Sequence, residues 1–234
     1  MCEHVDKIQF CKNCKGMFRI DDNKEHFNED YFNMNYTKLS DIERFPIQRK
    51  FLKILHHYKP SGKLLELGCG GGHFIKLAKD CGYDVTGIDP NIFSAKSIEE
   101  RFGIKIITGI AEKTLLEFSD NQFDLIAIIN SLQNVSNPIE VLKEVRRILK
   151  DDGIVFVILP NYNGTDLLFK KIYPKSRLLY PTVYSFKSIC KLAGLEIESI
   201  KTTYISAIIE SLFKSRIRFG NSIISILKKP DKSD

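Results

Sequence analysis

No stretch of this chain is apolar for long enough to cross a bilayer. The longest clear apolar run, Ile154 to Leu159, is six residues, where a spanning helix needs roughly 20. The N-terminus carries Glu3 and Asp6 and no apolar core, so no secretory leader is expected. Histidine is scarce: there are five, and none lies beyond His73, which excludes a histidine acid–base group from everything downstream. Internal repeats are lacking as well. Six cysteines without a leader point to a reducing compartment and to thiols or metal ligands, not disulfides. The expected location is cytoplasmic. What is present is a globular composition, 43% hydrophobic and 27% charged, in 234 residues, enough for one medium domain and a small appendage. A net charge of +6 favours anionic partners only weakly.

The chain is organised around Lys63 to Asp89, KLLELGCGGGHFIKLAKDCGYDVTGID. Lys63 to Leu67 is an apolar run ended by glycines, the pattern of a buried parallel strand. Gly68, Gly70, Gly71 and Gly72 let the backbone turn sharply and leave no Cβ between the main chain and a ligand. His73 to Lys79 has helical apolar spacing, so its first N–H groups point at whatever sits on the glycines. Val85 to Ile88 is a second strand, closed by Asp89. The dinucleotide fingerprint G-x-G-x-x-G would put its third glycine at position 73, which is His73. The glycines fall instead as G-x-G-x-G at Gly68, Gly70 and Gly72.

Glu66-Leu67-Gly68-Cys69-Gly70-Gly71-Gly72 resembles the signature of class I S-adenosylmethionine-dependent methyltransferases. The resemblance implies that this loop packs on the methionine part of the cofactor, with Glu66 supporting that end through water. It implies that Asp89 grips the ribose hydroxyls, as a carboxylate can accept two hydrogen bonds from a diol. It further implies that Glu112, after the third strand, accepts from the adenine amino group. The expected cofactor-binding set is Glu66, Gly68, Cys69, Gly70, Gly72, Asp89, Pro90, Ala111, Glu112 and Asn130.

Downstream, a helix over Ser94 to Phe102, a strand Lys105 to Thr108, a strand Leu125 to Ile129, a helix Ile139 to Lys150 and a strand Ile154 to Leu159 alternate. A helix Ser185 to Ala193 and strands Leu195 to Lys201 and Ser222 to Leu227 follow. The expectation is an α/β fold: a doubly wound, Rossmann-like, seven-stranded and mostly parallel sheet with helices on both faces, plus a small N-terminal extension. The resemblance covers residues 60 to 161 closely.

Upstream, residues 1–35 form the cysteine-containing extension, 36–60 a helical lead-in, and 61–234 the methyltransferase domain with an acceptor insert at about 161–185. Cys11-x-x-Cys14 is a zinc half-site, because a tight turn aims two thiolates at one ion. With Cys2 and His4 it would complete a tetrahedral zinc knuckle. A similar cysteine-rich knob occurs in many methyltransferases of this general type. Tyr31, Phe32 and Tyr36 anchor a segment across the main domain. Phe45-Pro46 opens an amphipathic helix with Ile47, Phe51, Ile54, Leu55 and Tyr58 on one face.

Catalytic residues are not legible. Many relatives carry Glu-His where this chain has Gln133-Asn134, and often a His where Val183 stands. Asn130 is followed by Ser131-Leu132, not by the Pro-Pro-aromatic of enzymes that methylate nucleic-acid amino groups. Either positioning alone drives transfer, or Tyr162, Tyr180 or Tyr184 assists, or catalysis has lapsed. Lys170, Lys171, Lys175 and Arg177, interleaved with Phe169, Tyr173 and Tyr180, suit an anionic or sugar-like acceptor; anionic lipid at a membrane surface or RNA would use the same groups. The expected activity is methyl transfer to a small molecule, such as a sugar or secondary-metabolite intermediate. The alternatives are an RNA or protein methyltransferase, or a cofactor-binding module without turnover. Nucleic acid is not the expected partner.

Overall fold

The computed structural model describes residues 3–5, 8–11, 16–19, 29–33, 41–162, 178–203 and 222–231. In chain order come strands β1 (Glu3–Val5), β2 (Ile8–Phe10) and β3 (Met17–Arg19), a helical turn α1 (Glu29–Phe32) and the long helix α2 (Asp41–Tyr58). An alternating run follows: β4 (Lys63–Leu67), α3 (His73–Asp80), β5 (Asp84–Asp89), α4 (Ile92–Phe102), β6 (Ile107–Thr108) and α5 (Ala111–Thr114). It continues with β7 (Phe123–Ile129), α6 (Pro138–Ile148) and β8 (Leu149–Pro160). Last come β9 (Leu179–Tyr180), α7 (Val183–Leu192), β10 (Glu196–Thr203) and β11 (Ser222–Lys228).

Seven strands form the main sheet in the order β10-β11-β8-β7-β4-β5-β6. The pairs β4–β5, β5–β6, β4–β7 and β7–β8 are parallel, and β11 runs antiparallel to both β8 and β10. This is the doubly wound, mostly parallel sheet that the alternating pattern predicts. The continuous apolar runs are explained by burial on both faces. On one face Leu65, Ile126, Val155 and Val157 pack under Val141, Leu142 and Val145 of α6 and Phe186 and Ile189 of α7. The intervening residues Leu64, Leu125, Ala127 and Phe156 meet Phe51, Leu52 and Leu55 of α2 and Phe74 and Leu77 of α3. The strand period of two thus feeds two separate cores.

The boundaries differ from the expected ones for identifiable reasons. Helix α6 stops at Ile148, and β8 is entered at once. Phe123 pairs with Leu149 but Leu125 pairs with Ile154, so Asp152-Gly153 lies in a bulge inside the strand, which starts five residues earlier than the expected Ile154. Helix α7 starts at Val183 because Thr182 and Ser185 cap each other's backbone N–H groups. Helix α2 begins before Phe45-Pro46 and carries Pro46 inside it. On α2 Leu52 is buried, whereas Tyr58 is exposed.

The N-terminal strands were not expected. They form a second, antiparallel sheet, β1-β2-β3-β9, in which Met17 pairs with Tyr180 and Phe18 with Leu179. The Arg19 N–H donates to the Leu178 carbonyl at 2.8 Å, tying the N-terminal strands to the later part of the segment expected to form the acceptor insert. Most of that segment, including Lys170, Lys171, Lys175 and Arg177, lies outside the described residues, as does Tyr36. Among the described residues no helix is long and apolar enough to cross a membrane.

Candidate active site

From β4 the chain winds outward through β5 and β6, then returns to β7 on the other side of β4. At such a switch point the loops beyond the strands' carboxyl ends diverge and leave a crevice. The glycine loop fills one wall. Gly68, Gly70 and Gly72 all have positive φ, at 79°, 52° and 77°, the left-handed region that costs a side chain strain. At Gly68 space also forbids a side chain: a Cβ would lie 2.5 Å from Cβ of Ser131. Ser131 in turn donates from Oγ to the Leu67 carbonyl at 2.5 Å, locking the turn after β7 onto the loop after β4.

Asp89 closes the other side. One carboxylate oxygen accepts from the Gly70 N–H and the other from the Asn91 N–H, each at 2.8 Å. Asn91 caps α4 by accepting from the Phe93 N–H at 2.8 Å. The Asp89 carboxylate is therefore fixed in place with acceptor capacity to spare. Burial pushes its carboxyl above the usual value, opposed by the N–H groups of Gly70 and Asn91. Glu66 is 3% exposed; burial, then the charge of Asp89, holds its carboxyl well above the usual range. The Cys69 thiol is likewise pushed up, by burial and then by Glu66 and Asp89, so it stays protonated and is no nucleophile.

These groups line one cavity of about 220 Å³. Of the expected set, Glu66, Gly68, Cys69, Gly70, Asp89, Pro90, Ala111, Glu112 and Asn130 reach it; Gly72 does not. A Cβ on Gly72 would instead sit 2.6 Å from Cγ1 of Ile98, so that glycine serves the packing of the loop on α4. The charged side chains on the wall, Glu66, Asp89 and Glu112, are all acidic, and no lysine or arginine joins them among the described residues. Glu66 Oε2 is buried with no protein partner. Buried acceptors without donors are costly. Such a cavity suits a cationic ligand with a diol, and S-adenosylmethionine carries a sulfonium, an ammonium and a ribose.

A family model described as Methyltransferase domain matches residues 40–200. The chain belongs to this methyltransferase family. Its sequence is 31% identical over 153 residues to an uncharacterised protein of Methanocaldococcus jannaschii, covering 64% of this chain and 61% of that protein. It is 32% identical over 166 residues to a demethylmenaquinone methyltransferase of Staphylococcus aureus, covering 64% of this chain and 66% of that one. The chain thus spans a little under two thirds of the length of these relatives. Among solved structures, a SAM-dependent methyltransferase from Archaeoglobus fulgidus superposes with a TM-score of 0.68 at 20% identity, over 85% of this chain and 98% of that one. The fold is that of the class I enzymes.

Residues that the sequence did not propose for the site also reach the cavity. Gln48 on α2, His73 at the start of α3, and Asn91 and Ser94 at α4 all line the cavity. Of these, Gln48 carried a signal: it shares the helical face of Leu52 and Leu55, where a polar side chain is out of place. Past β7, Asn130 takes a positive φ of 52°, uncommon for a residue with a side chain. Its carbonyl accepts from Gln133 Nε2 at 2.7 Å. Gln133 is 3% exposed and holds this turn, while Asn134 faces the cavity. None of the three tyrosines lines it. Tyr162 and Tyr180 are buried edge-to-face with centroids 4.9 Å apart, the Tyr180 hydroxyl accepts from Arg19 at 3.2 Å, and Tyr184 is exposed.

Of the named zinc ligands, Cys2 and Cys14 lie outside the described residues and His4 falls in β1. Cys11 closes the turn between β2 and β3, its N–H donating to the Gly16 carbonyl at 2.8 Å. Among the described residues no group of three metal-ligating side chains gathers.

Proposed function

We propose that the protein transfers the methyl group of S-adenosylmethionine to a small organic acceptor. The observation that carries this is that the carboxylates Glu66, Asp89 and Glu112 line the cavity with no lysine or arginine among the described residues, Asp89 being held at the strand end by two backbone N–H groups. Asp89 would take the ribose hydroxyls, and the loop at Gly68 and Gly70 would pass the methionine arm. Cys69, Pro90 and Ala111 would complete the walls. Glu112 already accepts from the Ser136 N–H at 2.7 Å through Oε1, so an adenine amino group would use Oε2. When bound, the sulfonium supplies an electrophilic methyl with a good leaving group. The chain's part is then to align an acceptor and exclude water, for which the buried glycine loop and the Asn130 turn suffice. Among the described residues none of Tyr162, Tyr180 and Tyr184 lines the cavity, which supports transfer by positioning over assistance from one of these three.

The demethylmenaquinone methyltransferases among the relatives support a small acceptor; the basic and aromatic residues of the insert support an anionic or sugar-like one. The two are separated by offering methyl-labelled cofactor with reduced quinones, nucleotide-linked sugars and bulk RNA. Label passing to a small molecule is expected, and label passing only to RNA would contradict the reading. The Cys11-x-x-Cys14 spacing of the sequence is the ground for proposing zinc on Cys2, His4, Cys11 and Cys14. Elemental analysis should then find about one zinc per chain, and a stable metal-free protein would remove it.

A further inference from the structure

Helix α2 lies upstream of the glycine loop, yet it lends one polar group to the cavity. Gln48 lines it, and its amide oxygen is buried without a protein partner. The same is true of Glu66 Oε2, on β4. Neither atom is explained by packing. Two acceptors stranded in one cavity, far apart in sequence, each forfeit a hydrogen bond unless the occupant brings donors. One donor group could serve both: an ammonium offers three N–H bonds in different directions and a positive charge. Helix α2 is firmly placed to present Gln48, since Phe51, Leu52 and Leu55 on the same side of the helix are buried against the sheet and α3.

Resting on the methyltransferase reading, we infer that Gln48 is a cofactor-binding residue whose amide oxygen accepts from the ammonium of the ligand's amino-acid arm, which it shares with Glu66. The lead-in helix is thereby part of the binding site as well as of the core. The ligand's orientation follows: the amino-acid arm runs toward α2 and β4, and the ribose toward Asp89 at the end of β5. Discrimination between cofactor and a bare adenosine thioether falls to the Gln48–Glu66 pair, because only the full cofactor carries the ammonium.

The test is calorimetric titration of the full chain with S-adenosylmethionine and with 5′-methylthioadenosine, which keeps the nucleoside and sulfur but has no amino-acid arm. Gln48→Leu should weaken S-adenosylmethionine by about tenfold or more, the effect of one hydrogen bond to a charged group, and leave methylthioadenosine within about twofold. Gln48→Glu, which keeps an acceptor and adds charge, should bind S-adenosylmethionine at least as tightly as wild type. Equal weakening of both ligands by Gln48→Leu, unchanged cofactor affinity, or loss of cofactor binding in Gln48→Glu would each overturn the inference while leaving the methyltransferase reading intact. Failure of wild type to bind either ligand would overturn both.

Discussion

The Asp89 carboxylate accepts a hydrogen bond of 2.8 Å from the Gly70 backbone N–H, joining the end of the second central strand to the middle of the glycine loop. With its bond to Asn91, this makes Asp89 a structural clasp before any ligand arrives. Asp89→Ala strands two buried N–H groups and should lower unfolding free energy by about 2 kcal/mol. Asp89→Asn keeps one acceptor oxygen and should cost less. Urea melts of the two variants check the order, and equal stability of Asp89→Ala and wild type would refute the clasp.

Two glycines with similar backbone angles separate strain from collision. Gly68 and Gly82 have φ of 79° and 88°, but a Cβ on Gly82, just past α3, meets nothing within 4 Å, while one on Gly68 would strike Ser131. Gly82→Ala should cost about 1 kcal/mol, the left-handed strain alone. Gly68→Ala should cost about 3 kcal/mol or more, adding overpacking to the strain. Comparable losses in denaturant midpoint would show that the loop can yield.

Glu66 gives a pH dependence with a definite sign. Burial and then the charge of Asp89 raise its folded pKa above the ordinary 4.5, and Cys69 packs beside it. A raised folded pKa means that its contribution to stability is complete below the unfolded value and is lost as pH rises through the folded one. Asp89, also raised, acts in the same direction. Asp124, whose carboxyl is held low by Lys150 and the Lys63 N–H against the effect of burial, acts in the opposite one. The difference between wild type and Glu66→Gln isolates the Glu66 part. Glu66→Gln should gain stability relative to wild type as pH rises above 4.5. A constant difference across that range would mean that Glu66 ionises normally.

How much could be read from the sequence depends on whether a residue's neighbours are local. The glycine loop, Asp89 and the alternation of strands with helices are local patterns: short apolar runs, a turn, a helix and an acid at fixed spacing. The strand β6 was legible only in outline, because two residues at a sheet edge are too few for any periodicity. The small N-terminal sheet was not legible. Its three-residue strands have no period to speak of, and β3 finds its partner at Leu179 and Tyr180, some 160 positions on. Gln48 shows the same limit at the site, since its role comes from the docking of α2 and not from a motif. Gly72 differs the other way: the motif includes it, but the Cβ it lacks would meet Ile98, and it does not line the cavity.

The central claim is that the cavity between the glycine loop and Asp89 holds S-adenosylmethionine. Calorimetric titration of the cofactor into wild type and into a folded Asp89→Ala protein tests it most directly. Binding to wild type that weakens by about tenfold or more in the variant is the predicted result, because charge-assisted hydrogen bonds contribute roughly 1.5–3 kcal/mol. No binding to folded wild type, or equal binding to both proteins, would contradict it.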